Sequence, residues 1–201
     1  MRGGEVSARR RSTHWLLLRH GETEANRRRL LAGDGESPLT YRGRWQAIAA
    51  GLALRGRPAP RLLSSDLGRA HQTAAALVVA AGWQGRHCLA SAALRERDMG
   101  LWQGSPYERA RPTGLLVSWN HGPPGGESLR DVAHRVIAFL ASLPEEDTLL
   151  VAHAGPIRVL HGLLGGVALE EIGTLKVPNA VPLAVEVAPG TLRKLAHALE
   201  V

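Results

Sequence analysis

The sequence predicts an α/β fold of three layers, in which a mostly parallel central sheet lies between two layers of helices. Short apolar runs typical of buried strands alternate along the chain with longer segments whose apolar residues recur at helical spacing. The 201 residues suit one domain with a substantial core, and no internal repeat or linker divides them. We therefore expect a single domain over residues 13–201, preceded by a mobile basic tail over residues 1–12.

The first half of the chain is predicted to contain two strands and two helices. Residues 15–18 form an apolar run typical of a buried strand, and residues 62–64 indicate a second, very short strand. A helix is expected to begin near Thr40, and another is expected over residues 67–81, where Gly82 ends it. The apolar residues expected to face the core from the first helix are Tyr41, Trp45, Ile48, Ala49 and Leu52.

The second half starts with an irregular stretch rich in glycine, proline and tryptophan, which covers residues 82–126. Regular elements return after it, and they continue the alternation of strands and helices that a parallel sheet requires. The elements expected are a helix over residues 128–143, a strand over 148–152, a helix from Pro156 toward Leu164, and two final strands over 181–187 and 192–199.

The net charge is +7, and arginine supplies almost all of it because Lys176 and Lys194 are the only lysines. A basic excess of this kind suits nucleic acids, anionic membranes or small anionic substrates. We find no zinc-finger spacing and no RNA-recognition motif, and aromatic residues make up only 4%, so nucleic acid is not expected as a partner. No apolar run approaches the roughly 20 residues that span a bilayer, so membrane association is not expected either.

Cysteine usage favours a reducing compartment. Cys88 is the only cysteine and can form no intramolecular disulfide. The basic N-terminus leads into a short strand-like run and not into the apolar region of a signal peptide. We therefore expect a cytoplasmic protein, and a homodimer stays open as its assembly.

Polar residues follow three of the predicted strands at the point where each strand ends. Arg19 and His20 follow the first strand, Arg69 lies just after the second, and His153 follows the strand over residues 148–152. Because ligands of open α/β sheets bind beyond the carboxyl ends of the strands, we expect these side chains to meet at one edge of the sheet. A single residue of this kind is more often structural, but coincidence at three strand ends favours a functional site.

Six ordered blocks of sequence surround these positions. Residues 18–26 contain R-H-G-x-T-x-x-N, and the whole series resembles the histidine phosphatase superfamily, which includes phosphoglycerate mutases, α-ribazole phosphatases and fructose-2,6-bisphosphatases. The resemblance covers about residues 14–187 in the order found in that family. The other five blocks are S-P-L-T from Ser37, S-S-D-L-G-R-A-H-Q-T-A from Ser64, L-R-E from Leu94, P-G-G-E-S from Pro124 and V-A-H-A-G from Val151.

His20 and its neighbours form the expected phosphate site. The guanidinium groups of Arg19 and Arg69 can offer bidentate donors to a phosphate, and they disfavour protonation of an imidazole between them. His20 is therefore expected to be neutral near pH 7, and the resemblance implies that it attacks phosphorus and forms a phosphohistidine. The resemblance also implies that Asn26 contacts the phosphate or the rest of a small phosphorylated metabolite.

His153 and Glu96 complete the expected site. His153 is expected to donate to the phosphate oxygens, either as a neutral imidazole or as a cation. The leaving alkoxide needs a proton, and Glu96 occupies the position of the family's acid, with Glu22 and Asp98 as rival carboxylates. No cofactor and no metal are expected, because the arginines and His153 supply the positive charge and the remaining histidines show no metal-binding spacing.

Three departures from the family pattern leave the substrate open. Ala32-Gly33 stands where Gln-Gly is frequent, Gln103 replaces a common Glu, and Ala154 replaces the usual Gly. None of them removes a catalytic group. The functions that remain are a phosphatase for a small phosphomonoester (α-ribazole 5′-phosphate or a broad range of esters), a cofactor-dependent phosphoglycerate mutase, and a non-catalytic binding module on the same fold.

Overall fold

A five-stranded sheet forms the centre of the protein. The strands are β1 (Thr13–Arg19), β2 (Arg61–Ser65), β3 (Cys88–Ser91), β4 (Thr148–Ala152) and β5 (Leu183–Val187). They lie in the order β3-β2-β4-β1-β5, and every neighbouring pair is parallel except β1 with β5. The predicted α/β class with a mostly parallel sheet is confirmed. The computed structural model describes residues 11–200, so most of the predicted basic tail, residues 1–10, lies outside the described residues.

Helices connect the strands and cover both faces of the sheet. Within residues 11–200 the α-helices are α1 (Glu24–Arg27), α2 (Tyr41–Ala53), α3 (Gly68–Ala81), α4 (Tyr107–Ala110), α5 (Leu129–Ala141), α6 (Ala154–Leu164), α7 (Leu169–Ile172) and α8 (Thr191–Glu200). Short 3₁₀ turns occupy residues 92–94, 100–102 and 111–113. None of the helices described here is long and apolar enough to cross a membrane.

The alternation of side chains along β1 divides the core into two halves. Leu16 and Leu18 pack on one face of the sheet against α2 and α3, whereas Trp15 and Leu17 pack on the other face against α5, α6 and α8. Successive residues of a strand point to opposite faces, so one short apolar run supplies both halves of the core. The result is the predicted arrangement of three layers.

The core face of α2 differs from the one that the sequence predicted. Tyr41, Trp45 and Leu52 are largely exposed, with 78%, 54% and 51% of their surface accessible. The buried face consists of small residues, because α2 lies close against α3 and leaves no room for large side chains. These buried residues are Gly43, Ala47, Ala50 and Gly51.

Two further elements were predicted wrongly, namely the last helix and one edge strand of the sheet. The segment 192–199, expected as a strand, belongs to helix α8, because Leu192, Leu195, Ala196 and Leu199 recur at helical spacing and pack toward the core. Strand β3 lies inside the stretch that was expected to be irregular. It is a short edge strand of four residues, half-buried at best, so its apolar run is only three residues long and does not stand out in the sequence.

The parallel register of β1 with β4 positions the functional residues. Arg19 pairs with Ala152, and the backbone N–H of His20 donates to the Ala152 carbonyl at 3.0 Å. His20 and His153 therefore leave neighbouring strands at the same level. β2 lies on the other side of β4, so Arg69 enters the same edge from α3.

The close packing of α2 on α3 predicts the effect of a methyl group at Gly51. Alanine is about 1 kcal/mol better than glycine in a helix interior, yet a Cβ at Gly51 would clash with the Leu77 carbonyl oxygen and lie 2.7 Å from the Ala80 Cβ. We expect Gly51→Ala to destabilise the protein by about 1–3 kcal/mol in urea unfolding. The exposed position Ala49 gives the control, because Ala49→Gly should cost only about 0.5–1 kcal/mol. Stabilisation by Gly51→Ala would contradict the close contact of the helices.

Candidate active site

A cavity of about 630 Å³ opens at the carboxyl ends of the parallel strands. Five of the six residues predicted for the site line it, and the sixth, His153, is fully buried with its ring centroid 5.1 Å from that of His20. The structure therefore brings together all six residues, which arrive from β1, α1, α3, β4 and the loop after β3. The five lining residues are Arg19, His20, Asn26, Arg69 and Glu96.

The hydrogen bond of His20 determines which ring nitrogen is free to react. Nδ1 lies 2.7 Å from the carbonyl oxygen of Gly21, and a carbonyl can only accept a hydrogen bond. Nδ1 must therefore carry the proton, which leaves the lone pair of a neutral imidazole on Nε2. The backbone N–H of Gly21 is itself held by the hydroxyl of Thr73 at 3.1 Å, so α3 fixes the loop that holds the ring.

His153 has the opposite tautomer from His20. Arg69 Nε donates to His153 Nδ1 at 3.2 Å, so Nδ1 is the acceptor and the proton of the neutral ring lies on Nε2. Burial lowers the pKa of His153 well below 6.5, and the charges of His20, Arg69 and Arg19 lower it further. Of the two states left open by the sequence, the neutral donor is the one that this arrangement supports.

The pKa of His20 is shifted in the same direction. Burial lowers it well below 6.5, and the neighbouring Arg19 and Arg69 lower it further. Both imidazoles are therefore neutral at neutral pH, as the nucleophilic role predicted for His20 requires.

Arg69 is held by the loop that contains one of the departures from the family pattern. Its Nη1 donates to the Gly35 carbonyl at 2.6 Å and its Nη2 to the Gly33 carbonyl at 2.7 Å. A Cβ at Gly35 would lie 2.7 Å from Gln103 Nε2, so the side chain of Gln103 covers this loop. Two of the three departures, Ala32 and Gln103, thus lie at the loop whose backbone carbonyls hold Arg69.

Two buried donors at the site have no partner among residues 11–200. They are Arg19 Nε and His153 Nε2, and Arg19 uses its Nη1 to donate to the Val177 carbonyl at 3.0 Å. A buried donor without a partner is costly, and such groups are rare in folded proteins. Both belong to residues grouped around His20, where they are available to an anionic ligand.

Asn179 is a site residue that the sequence did not predict. Its Nδ2 donates to the His20 carbonyl at 2.9 Å and to Asn26 Oδ1 at 3.2 Å, and it lines the cavity. Because Asn26 Oδ1 also accepts from the Thr23 N–H, the amide group of Asn26 is left as a donor toward the cavity. Asn179 lies in a loop, and only its pairing with Arg19 places it here.

Glu96 is bound to the N-terminus of α6. Its Oε1 accepts from the backbone N–H groups of Arg97 and Gly155, both at 2.9 Å, and its Oε2 accepts from Ala154 at 3.0 Å. Oε2 therefore keeps one acceptor position that no backbone group uses. Ala154, the third departure, contributes its N–H to this arrangement and lines the cavity.

The rival carboxylates lie elsewhere. Asp98 Oδ1 accepts from the Gly100 N–H at 2.7 Å within its own turn. Glu22 accepts from the Thr40 hydroxyl at 2.9 Å and lies 3.6 Å from Arg42. Among the described residues that line the cavity, Glu96 is the only carboxylate, which favours it over both rivals.

Arg135 on α5 holds the loop that carries Glu96. Its Nη1 donates to the carbonyls of Ala93 and Arg95 at 2.8 and 3.0 Å, and its Nη2 donates to the Glu96 carbonyl at 3.1 Å. The same guanidinium forms a two-pronged ion pair with Glu127, whose Oε2 also accepts from the Asp98 N–H. Glu127 lies in the P-G-G-E-S block, but nothing in the sequence indicates this contact with Arg135.

The remaining histidines give no sign of a metal centre. No group of three or more potential metal ligands occurs within the described part of the chain. His71, near Arg69 in sequence, is exposed as expected. The other histidines are His14, His87, His121 and His197, which are exposed, and His134 and His161, which are half-buried.

The fold and the site define a class of enzyme. A neutral imidazole with a free Nε2, two arginines and one carboxylate at the carboxyl edge of a parallel sheet are the groups needed to transfer a phosphoryl group through histidine. The chain belongs to the histidine phosphatase superfamily, whose branch 1 family model matches residues 15–198. The family predicted from the sequence is therefore confirmed.

Relatives of this chain include both mutases and phosphatases. The 2,3-bisphosphoglycerate-dependent phosphoglycerate mutase of Methylorubrum populi is 31% identical over 191 residues, which cover 88% of this chain and 90% of the relative. Among solved structures, the mycobacterial glucosyl-3-phosphoglycerate phosphatase is 30% identical with a TM-score of 0.78 and covers 90% of this chain and 93% of its own. The α-ribazole phosphatase from Shigella flexneri is 26% identical with a TM-score of 0.74, over 88% of this chain and 94% of its own. Family and neighbours support a phosphoric monoester hydrolase.

The neutral state of buried His153 predicts a pH dependence of stability. In the unfolded chain its imidazole titrates near 6.5, whereas in the folded protein its pKa lies well below that value. Below pH 6.5 the unfolded state therefore binds a proton that the folded state does not, and stability falls by up to about 1.4 kcal/mol per pH unit. Above that pH the residue contributes no pH dependence.

Urea unfolding between about pH 5.5 and 7.5 checks this expectation. We expect His153→Asn, whose Oδ1 can still accept from Arg69, to lose stability less steeply on acidification than the wild type does. The exposed residue His71 supplies the control, because His71→Asn should follow the wild-type curve. Parallel curves for the wild type and His153→Asn would show that His153 takes up a proton in the folded protein.

Proposed function

We propose that the protein is a phosphatase that hydrolyses a small phosphomonoester through a phosphohistidine on His20. The observation that carries the proposal is the pair of buried donors Arg19 Nε and His153 Nε2, which have no partner among residues 11–200 and belong to residues beside His20. An unused buried donor costs about 1–3 kcal/mol, so its retention favours a ligand that uses it. A phosphate, with its negative charge and three acceptor oxygens, suits these donors.

The first step follows from the tautomer of His20. Nε2 attacks phosphorus in line, the N–P bond forms, and the P–O bond to the alcohol breaks with its electron pair going to the alcohol oxygen. The Nδ1 proton stays on the ring, where the Gly21 carbonyl 2.7 Å away stabilises the positive charge that the imidazole acquires. Arg19, Arg69 and His153 Nε2 stabilise the charge on the phosphoryl oxygens.

Glu96 supplies the proton for the leaving alkoxide and later receives one from water. The proton is carried on Oε2, because Oε1 already accepts two backbone N–H groups and Oε2 accepts one. In the second step the carboxylate takes a proton from water as water attacks phosphorus, which releases inorganic phosphate and restores neutral His20. Arg135 holds the backbone around Glu96 for both steps.

Hydrolysis is favoured over isomerisation by what surrounds the cavity. A mutase must keep water away from the phosphohistidine until the phosphoryl group returns to substrate, which requires a closed site. The last described helix, α8, packs on α5, and no residue of 183–200 lines the cavity. Within residues 11–200, therefore, the segment from β5 onward does not cover the cavity. A mutase remains the second candidate, because the Methylorubrum populi relative named above is a phosphoglycerate mutase.

A panel of phosphomonoesters tests the proposed function. We expect the wild type to release inorganic phosphate in the presence of EDTA, and to convert little 3-phosphoglycerate to 2-phosphoglycerate even when 2,3-bisphosphoglycerate is supplied. His20→Ala should lower the release by about a thousandfold or more, because the covalent route is lost. His71→Ala, on the exposed face of α3, serves as the control and should keep the wild-type rate.

The outcomes of this panel separate the candidates. Rapid isomerisation with negligible phosphate release would support the mutase, and binding of esters without any turnover would support the binding module. Phosphate release that stops in EDTA and returns with Mg²⁺ would overturn the expectation that no metal is needed. Near wild-type turnover in folded His20→Ala would show that His20 is not the nucleophile.

The role of Glu96 predicts a dependence on the leaving group. Glu96→Gln should slow alkyl phosphates far more than p-nitrophenyl phosphate, because the nitrophenolate leaves without a proton. Asp98→Asn is the matched control, because its side-chain oxygen can still accept from Gly100 and it lies outside the cavity lining. Steady-state rates on both kinds of ester provide the measurement, and equal losses on both would contradict the assignment of Glu96 as the acid.

A further inference from the structure

Four cations line the cavity beyond Arg19 and Arg69, which the proposed phosphoryl transfer uses, and they are Arg29, Arg97, Arg158 and Lys176. Arg29 pairs with Glu108, and Arg97 donates to backbone carbonyls, so Arg158 and Lys176 are the two left to explain. Arg158 lies on α6, and Lys176 lies in the loop between α7 and β5 that also carries Asn179. Within residues 11–200 neither of them forms an ion pair with a carboxylate. Both are therefore positive charges at the cavity wall without a counter-ion among the described residues.

The guanidinium of Arg158 is held by one hydrogen bond and keeps further donors that no described residue uses. Its Nε donates to the Leu175 carbonyl at 2.9 Å, and its two terminal nitrogens have no hydrogen-bond partner within the described part of the chain. Arg97 differs from it, because both of its terminal nitrogens donate to backbone carbonyls of residues 115 and 116. Arg158 thus presents the planar pair of donors that suits a carboxylate or phosphate.

The negative charge of a phosphoryl group alone does not account for Arg158 and Lys176. Arg19 and Arg69 match the nearly two negative charges of a phosphate monoester, and among the described residues Glu96 is the only carboxylate that lines the cavity. Burial is the main cause that lowers the pKa of Arg19, and repulsion from Arg158 contributes to it. Positive charges that line one cavity repel each other, and an anion bound between or beside them relieves this repulsion.

We propose that Arg158 and Lys176 bind a second anionic group of the substrate, either a carboxylate or a second phosphate. The preferred substrate class is then a phosphomonoester whose alcohol part carries a negative charge. The cavity of about 630 Å³ has room for such an alcohol part beside the phosphoryl group. The inference rests on the proposed function for hydrolysis, whereas binding of the second anion can be measured without turnover.

Calorimetric titration of the His20→Ala protein tests the binding directly. The carboxylate arm compares 3-phosphoglycerate with glycerol 3-phosphate, which has a hydroxymethyl group in place of the carboxylate. The phosphate arm compares fructose 1,6-bisphosphate with fructose 6-phosphate. We expect the doubly anionic member of at least one pair to bind about tenfold or more tightly than its partner, and the arm that shows this identifies the group.

Substitutions assign the preference to particular residues. In the same background, Arg158→Gln should abolish most of the preference and Lys176→Gln should reduce it, while the affinity for the ester without the second anionic group changes less than about twofold. Arg44→Gln and Lys194→Gln remove equal charges from exposed positions outside the cavity and should leave the preference intact. These controls distinguish direct binding of the second anion from the effect of the overall positive charge of the protein.

The result that would overturn the inference is also specific. If neither pair shows a preference, or if Arg158→Gln weakens both members of a pair equally, the two cations do not bind a second anion. The wild type can still release phosphate from esters of neutral alcohols when no preference for a second anion is found. That result would support the proposed phosphatase and contradict only this inference. A clear preference in a protein without turnover would support the inference and contradict the phosphatase.

Discussion

The hydrogen bond from Arg69 Nε to His153 Nδ1 is the interaction on which the site depends. It sets the tautomer of His153, so that the Nε2 proton becomes a donor, and it joins α3 to the end of β4. The remaining nitrogens of Arg69 hold the loop at residues 33–35. The matching contact of His20 with the Gly21 carbonyl frees a lone pair on the first ring. One imidazole is thereby prepared to attack and the other to donate, and burial keeps both neutral.

The same set of groups can serve hydrolysis or isomerisation, which explains why relatives of this chain carry both kinds of name. Phosphoryl transfer to His20 needs only the arginines, the second imidazole and an acid, and all of these are at the carboxyl edge of the sheet. The two reactions diverge at the phosphohistidine, where the access of water and the binding of the alcohol part determine which product forms. Residues outside the reacting groups, such as Arg158 and Lys176, therefore bear on substrate choice more than on the chemical steps.

Much of this site could be predicted from the sequence because strand ends and short motifs are local signals. The ends of β1 and β4 identify His20 and His153, and the blocks around Arg69 and Glu96 supply the rest. The core face of α2 could not be predicted, because close approach to α3 selects small residues and leaves Trp45 outside. Asn179 and Arg135 were missed because their roles come from contacts between residues far apart in the chain. Helix α8 was wrongly predicted as a strand, although Leu192, Leu195 and Leu199 recur at helical spacing.

The position of phosphorus on the trapped intermediate tests the central claim most directly. The wild-type protein, labelled with heavy nitrogen in its histidines, would be mixed with a phosphomonoester, quenched in alkali and studied by NMR for phosphorus–nitrogen coupling. The account predicts phosphorus on Nε2 of His20, because Nδ1 keeps its proton against the Gly21 carbonyl. Phosphorus on Nδ1 of His20, on His153 or on no histidine at all would contradict it.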